Sequence, residues 1–148
     1  RMGIATTTSR GNVDALLRQH LGARWQDGFS TVVCGEDVAR KKPDPAVYRV
    51  ALQQLGIPAG NALAIEDSPA GVEAARAAGI PAIVTRSVYF ADAPAPAAIA
   101  IGPGLHGASR WQAPGRGPAP GPRPVGLDDL QHWHATRAGH RQPAPEYP

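Results

Sequence analysis

Three groups of polar residues in this 148-residue chain have the types and spacing of a site that binds a phosphate and a divalent cation. Hydroxyls and an ammonium donate hydrogen bonds to phosphate oxygens, and adjacent carboxylates are the hard oxygen ligands that Mg²⁺ takes. Each group alone also has an ordinary explanation, namely strand propensity for threonines, solvation for lysines and dipole complementarity for acidic residues before a helix. Their joint order along the chain favours a common function. The groups are the hydroxyl residues Thr6, Thr7, Thr8 and Ser9, the pair Lys41 and Lys42, and the run Glu66, Asp67 and Ser68.

Short apolar strands that alternate with amphipathic helices must position these groups. The strands are recognised by runs of aliphatic and β-branched residues, and the helices by caps, by proline at the first turn and by a glycine stop. Predicted strands cover residues 3–7, 31–34, 62–65 and 82–85, with a short fifth strand at 98–101. The predicted helix signals are Ser9 or Asn12 with Gly22, Asp44 and Pro45 with Gly56, and Ser68 and Pro69 with Gly79.

This alternation predicts the α/β class, with a parallel sheet covered by helices on both faces in three layers. In such sheets the loops that leave the carboxyl ends of the strands line one crevice, where ligands bind. The threonines follow the first strand, the lysines follow the second and the acidic pair follows the third. We therefore expect all three groups at one edge of the sheet.

Composition divides the chain and limits its function. Residues 102–148 contain 9 of the 16 prolines, so we expect a core at 1–101, a Pro/Gly-rich linker or insertion at 102–124, a helix at 125–135 and a disordered tail at 136–148. Trp111 and Trp133 are expected to dock that helix on the sheet. A net charge of +3 is too weak and too scattered to indicate a nucleic-acid partner, so we expect none, and no apolar run is long enough to cross a bilayer. With one cysteine, these features favour the cytoplasm.

Two further residue sets have chemical potential but a simpler explanation. Cys34 follows a strand without a base nearby in sequence, so we interpret it as a small core residue. His106, His132, His134 and His140 match no familiar metal-binding spacing, and we interpret them as surface residues.

The motifs at these positions resemble those of the haloacid dehalogenase-like hydrolases. Residues 4–8 (IATTT), 41–45 (KKPDP) with Tyr48, and 65–71 (IEDSPAG) followed by 74–79 (AARAAG) look like the second, third and fourth motifs of that superfamily. The pattern is most similar to the phosphoglucomutase-like phosphatases and, within them, to CbbY-type proteins. The resemblance covers residues 3–101 and 125–135. It implies a Rossmann-like core of the kind that the strand and helix pattern predicts.

The resemblance also implies a role for each matching residue. Thr6 would hydrogen-bond the transferring phosphoryl group, and Lys42, the lysine directly before the proline, would neutralise its charge. Asp67 would hold Mg²⁺, with Glu66 beside it as a direct or water-mediated partner. Family chemistry is hydrolysis of a phosphomonoester through a phosphoaspartyl intermediate, with a small phosphorylated metabolite such as a sugar phosphate or bisphosphate as substrate.

The chain departs from the family at the first motif, which in the family is an Asp-x-Asp pair at the end of the first strand. No Asp-x-Asp occurs in the sequence, and Asp128 and Asp129 are contiguous at the predicted start of the last helix. The nucleophile, the strand that carries it to the centre of the sheet and the cap domain are therefore missing, which predicts an incomplete sheet of two strand pairs with exposed edges. We expect the carboxyl-terminal part of a Mg²⁺-dependent sugar-phosphate phosphatase, inactive alone.

Two alternatives come from other functional classes. A non-catalytic phosphate-binding or regulatory module that has lost the first motif would keep the same three groups. A phosphoacceptor receiver domain shares the threonine, lysine and acidic pair, but it requires the acidic pair first, and here the order is reversed.

Overall fold

A computed structural model describes residues 1–113 and 123–136, and within them strands and helices alternate as predicted. The strands are β1 (Gly3–Ala5), β2 (Thr31–Val33), β3 (Ala64–Glu66), β4 (Ala82–Thr85) and β5 (Ala98–Gly102). The helices are α1 (Arg10–Leu21), α2 (Ala46–Leu55), α3 (Pro69–Ala77) and α4 (Leu127–Thr136).

The strands form two parallel sheets. One contains β1 and β2, and the other contains β3, β4 and β5 in that order. The expectation of two strand pairs was therefore wrong in one respect, because β5 joins the second sheet beside β4. Within the described residues, no strand pairs with the other edge of β1 or of β3, as the sequence predicts for a chain without the central strand.

Alternating side chains along the strands give the fold its three layers. Val33 of β2 packs in a core with α2 and α3, whereas its neighbours Val32 and Cys34 pack with α1 on the opposite face. On β4, Ala82 joins the α2–α3 core and Ile83 faces a third cluster that includes α4. Because side chains alternate between the faces of a strand, helices cover both faces of each sheet.

Several element boundaries differ from the sequence prediction. Strand β3 begins at Ala64, two residues late, because residues 59–61 form a 3-10 turn in which the Ala62 amide bonds to the Ala59 carbonyl. Helix α2 begins at Ala46 with Pro45 as its N-cap residue. Asp44 therefore lies one residue before the N-cap and not at it, but its side chain still accepts a hydrogen bond from the Ala46 amide at 2.9 Å. Strand β1 ends at Ala5 rather than at Thr7, because the chain turns within the threonine run.

The other caps follow their sequence signals. Ser9 accepts from the Asn12 amide at the start of α1, and Ser68 accepts from the Gly71 amide at the start of α3, where Pro69 is the first helical residue. Gly56 ends α2 with φ of 63°, a left-handed conformation that favours glycine.

The last described helix packs on the second sheet through an aromatic pair. Trp111 and Trp133 are buried and stack with ring centroids 4.8 Å apart, which confirms the predicted docking. Asp129 accepts from the Gly126 amide and binds the Arg123 guanidinium through both carboxylate oxygens, at 2.6 and 2.8 Å. The linker prediction for 114–122 and the tail prediction for 137–148 lie outside the described residues. No helix in the described residues is long and apolar enough to cross a membrane.

Candidate functional site

A buried charge cluster joins the two sheets where β3 ends. Glu66 is the last residue of β3, and its Oε1 accepts hydrogen bonds from the Lys42 ammonium and from the Tyr48 hydroxyl. The side chains of Lys42 and Glu66 are only 12% and 7% exposed. The Lys42 Nζ also lies 4.8 Å from the centroid of the Tyr48 ring, a cation–π geometry. Two side chains from separate parts of the sequence, Glu66 and Tyr48, therefore fix the Lys42 ammonium in place.

Local structure explains how these three side chains meet. Lys42 lies in the loop that follows β2, and Tyr48 lies in the first turn of α2, on the face that packs against the core. Successive side chains of β3 point to opposite faces of the sheet, so that Glu66 is buried and Ile65 is 45% exposed. Since α2 packs on β1 and β2, the contacts to Glu66 cross from the first sheet to the second.

Burial keeps the Tyr48 hydroxyl a hydrogen-bond donor. Its pKa is raised far above the usual range, chiefly by desolvation and further by the negative charge of Glu66 and the hydrogen bond to it. A deprotonated tyrosine next to a buried carboxylate would place two negative charges together. Tyr48 therefore stays neutral and holds the carboxylate that holds Lys42.

Helix α3 begins directly against this carboxylate. A β-carbon added at Gly71 would overlap both carboxylate oxygens of Glu66, so any other residue here would have to displace that carboxylate. Ser68 and Pro69 start the helix at this point and bring the Gly71 backbone over the Glu66 side chain. Packing against Glu66 thus explains the glycine at the end of this motif.

Asp67 is placed differently from its neighbour. It is exposed, and its carboxylate makes no hydrogen bond or ion pair with the residues that the structure describes. Glu66 is neutralised by Lys42, so Asp67 is the carboxylate of the pair that is open to a cation. One exposed carboxylate fits Mg²⁺, which takes one or two carboxylates and keeps several waters. Residues 1–113 and 123–136 contain no cluster of three or more acidic, histidine or cysteine ligands.

The threonine run forms a turn directly after β1. The Thr6 amide donates to the Val33 carbonyl at 2.9 Å, and Thr6 Oγ1 accepts from the Thr8 amide at 3.1 Å. Gly35 closes the turn from the other side, because its amide donates to the Thr8 carbonyl at 2.9 Å. We call Thr6, Thr7 and Thr8 the threonine turn. It lies at the carboxyl end of β1, as predicted.

The two lysines have different surroundings. Lys42 is bound to Glu66, whereas Lys41 is exposed and its ammonium makes no hydrogen bond or ion pair with any residue in the described ranges. The structure thus brings Lys42 and Glu66 together and leaves Asp67 and Lys41 open. The sequence motif contains Tyr48 but assigns no role to it, although an aromatic with a hydroxyl at a buried helical position is a signal for a buried polar partner.

Cys34 lies in the core as predicted, whereas the interpretation of the histidines as surface residues is wrong for His132 and His134. Cys34 is fully buried, and desolvation raises the pKa of its thiol, so the thiol is not activated. His132 and His134 lie on α4, which packs on the second sheet, so both side chains are half-buried and their Nε2 atoms are buried. His140 lies outside the described residues.

Comparisons with known proteins agree with the motifs. The family of haloacid dehalogenase-like hydrolases matches residues 1–85. The CbbY protein of Cupriavidus necator is 43% identical over 133 residues, covering 90% of this chain and 52% of that protein. The phosphoglycolate phosphatase of Rhodospirillum rubrum is 40% identical over 89 residues, covering 60% of this chain and 36% of that protein.

Solved structures show the same similarity. Crystal structures of CbbY from Rhodobacter sphaeroides, one in complex with phosphate and one of a mutant in complex with xylulose-(1,5)-bisphosphate, match with a TM-score of 0.64 and 41% identity. The match covers 66% of this chain and 44% of each of those chains. This chain thus spans about half the length of its relatives, or less.

Proposed function

We propose that this chain, which belongs to the haloacid dehalogenase-like hydrolase family, supplies the phosphate-binding and cation-binding part of a Mg²⁺-dependent phosphatase. The observation that carries the proposal is the ammonium of Lys42, held by Glu66 and Tyr48 at the edge where β3 ends. A buried, fixed cation stabilises negative charge better than a mobile surface lysine, because it needs no reorganisation when the charge develops.

Each proposed role is the one that the family resemblance implies, and the surroundings of Lys42 and Asp67 support it. Lys42 neutralises the charge of the transferring phosphoryl group, and the Thr6 hydroxyl hydrogen-bonds one of its oxygens. Asp67 holds the cation, which supplies charge neutralisation at the phosphate when it is bound. Glu66 faces Lys42 and Tyr48, so its contribution is to hold the ammonium in place and, through water, to complete the cation shell.

The nucleophile must come from a segment that the 148 residues do not contain, since they have no Asp-x-Asp. In the family reaction an aspartate attacks phosphorus, the ester P–O bond breaks and a second aspartate gives the leaving alcohol its proton. Water then cleaves the phosphoaspartate and releases inorganic phosphate. A small phosphorylated metabolite is the proposed substrate class, supported by the phosphoglycolate phosphatase and by the CbbY complexes.

A second candidate function rests on the same absence. Without an Asp-x-Asp, the chain would bind a phosphorylated metabolite and not hydrolyse it. The two candidates share a site and differ in whether the nucleophile is supplied.

A turnover assay distinguishes these functions. We expect the 148-residue chain to release no phosphate from sugar phosphates with Mg²⁺, and activity to appear when it is joined to the part of the Cupriavidus necator relative that it does not cover. Asp67→Asn should abolish that activity, and Asp128→Asn, an exposed carboxylate on α4, is the matched control. Turnover by the chain alone that is lost in Asp67→Asn would show that it needs no further segment. A folded joined protein that binds phosphate without turnover would favour the second candidate.

A further inference from the structure

We propose that Tyr48 is a positioning residue of this site, whose hydroxyl acts through Glu66 to fix the Lys42 ammonium. The inference rests on the proposed function, in which Lys42 meets the phosphoryl group and Asp67 holds the cation. It predicts that loss of this one hydroxyl, with the ring kept, releases the lysine and lowers the rate of turnover while substrate binding is retained.

Tyr48 contacts both members of the buried ion pair. Its hydroxyl donates to Oε1 of Glu66, the same oxygen that the Lys42 ammonium contacts. The Lys42 Nζ also lies 4.8 Å from the centroid of the Tyr48 ring. Tyr48 is only 8% exposed, so water has little access to replace its hydrogen bond. One side chain therefore holds the cation through its ring and the counter-ion through its hydroxyl.

An ion pair by itself would leave both partners mobile. The Lys42 ammonium ends a flexible four-carbon stem, and the last torsion of a glutamate side chain is broad. In Glu66 the two oxygens have different neighbours, because Oε2 lies against the α-carbon of Gly71 and Oε1 accepts from Tyr48. The hydroxyl therefore favours one orientation of the carboxylate and determines which oxygen the ammonium meets.

This hydrogen bond also connects the two sheets that carry the proposed site. Lys42 lies in the loop that follows β2, and Tyr48 lies in α2, which packs on β1 and β2. Glu66 ends β3 of the second sheet, and Asp67 follows it directly. No strand of the described residues pairs β1 with β3. The contact of Tyr48 with Glu66 thus helps to set the spacing between the lysine and the carboxylate that we propose binds the cation.

A purely structural role is the alternative, because Tyr48 belongs to the same buried cluster as Val47 and Ala51. Tyr48→Phe separates the two roles, since it keeps the ring and the packing volume and removes only the hydroxyl. If Tyr48 only fills the core, phenylalanine is sufficient for a fixed lysine. If Tyr48 positions Glu66, phenylalanine is not sufficient.

The motion of the Lys42 side chain tests the inference in the 148-residue chain. Lys41 and Lys42 are the two lysines of the sequence, so lysine labelled with ¹³C at Cε gives two signals, which the Lys41→Arg variant assigns. Relaxation measurements should show a rigid ε-methylene at Lys42 and a mobile one at the exposed Lys41. In Tyr48→Phe we expect Lys42 to lose most of this rigidity and Lys41 to stay unchanged.

Turnover by the joined protein tests the consequence for the reaction. Tyr48→Phe should lower kcat about 10- to 100-fold, the usual cost of removing a group that orients a functional side chain. KM should stay nearly unchanged, because the packing and the charge of the site are kept. Tyr89→Phe is the matched control, since it removes a hydroxyl from a residue that is 86% exposed, and it should alter neither the Lys42 signal nor kcat.

Three results would overturn the inference. They are a Lys42 side chain that stays rigid in Tyr48→Phe, an active joined protein whose kcat is the same with phenylalanine, and a Tyr48→Phe chain that fails to fold, which would make the hydroxyl a requirement of the core. A joined wild type without turnover counts against the proposed function only. The Lys42 motion is measured without substrate, and it decides in that case too whether Tyr48 positions the ammonium.

Discussion

The carboxylate of Glu66 lies directly under the α-carbon of Gly71, with no space for a methyl group between them. The same carboxylate holds the Lys42 ammonium and the Tyr48 hydroxyl. The start of α3 therefore sets the position of Glu66, and Glu66 sets the position of the lysine that we propose binds phosphate.

This packing predicts that Gly71→Ala displaces Glu66 and destabilises the fold. The added methyl would force a shift of the carboxylate, and overpacking of this kind costs about 1–3 kcal/mol of the free energy of unfolding. Urea denaturation measures the change. Gly11→Ala is the control, because a β-carbon there meets nothing within 4 Å on α1, and we expect it to stabilise by about 0.5–1 kcal/mol. Equal effects of the two variants would contradict the packing.

The lysine pair predicts unequal effects on stability. Lys42→Ala leaves Glu66 buried without its cation, which costs about 3–5 kcal/mol for a buried pair. Lys41→Ala removes an exposed side chain and should change stability by no more than about 0.5 kcal/mol. Thermal unfolding of both variants measures this, and Lys42→Met combined with Glu66→Gln should recover part of the loss.

The lysine pair also predicts unequal effects on activity. In the joined enzyme Lys42→Ala should lower kcat more than Lys41→Ala. Equal losses would rule out the assignment of Lys42 as the lysine of the family motif.

The unpaired edge of β3 predicts association of the 148-residue chain. Ile65 is 45% exposed in the middle of this strand, and an open strand edge with an apolar side chain favours pairing with another chain. We expect light scattering to show a mass that rises with concentration, and Ile65→Lys to reduce it. Val88→Lys is the control, because Val88 is 88% exposed outside any strand. An equal reduction by both variants would show a general charge effect.

The aromatic pair predicts that α4 contributes to the stability of the second sheet. Trp133→Ala removes a buried ring stacked on Trp111, a change that costs about 3–5 kcal/mol. Near-ultraviolet circular dichroism and urea denaturation measure the loss. Leu127→Ala on the same helix is the control, because Leu127 is 68% exposed and should cost little. Unchanged stability of Trp133→Ala would mean that α4 is not docked in solution.

Local signals in the sequence were sufficient for the element order and most caps. Ser9, Ser68 and Gly56 act at the positions that their types predict, because capping depends on neighbours in the chain. Boundaries that depend on pairing were less accurate, as for β3, where hydrogen bonds to β4 decide which residues are extended. The threonine turn also shortens β1, since the Thr6 hydroxyl takes the Thr8 amide.

The sequence by itself determined the α/β class, the parallel order and the three groups of site residues, because periodicity, caps and motif spacing are local properties. Only the tertiary structure decided which members of each pair are buried. Lys42 and Glu66 are 24 residues apart and Tyr48 lies between them, and their meeting depends on how α2 packs against both sheets. Burial in turn decides which charges are neutralised, so the open charges of Lys41 and Asp67 became visible only in the folded chain.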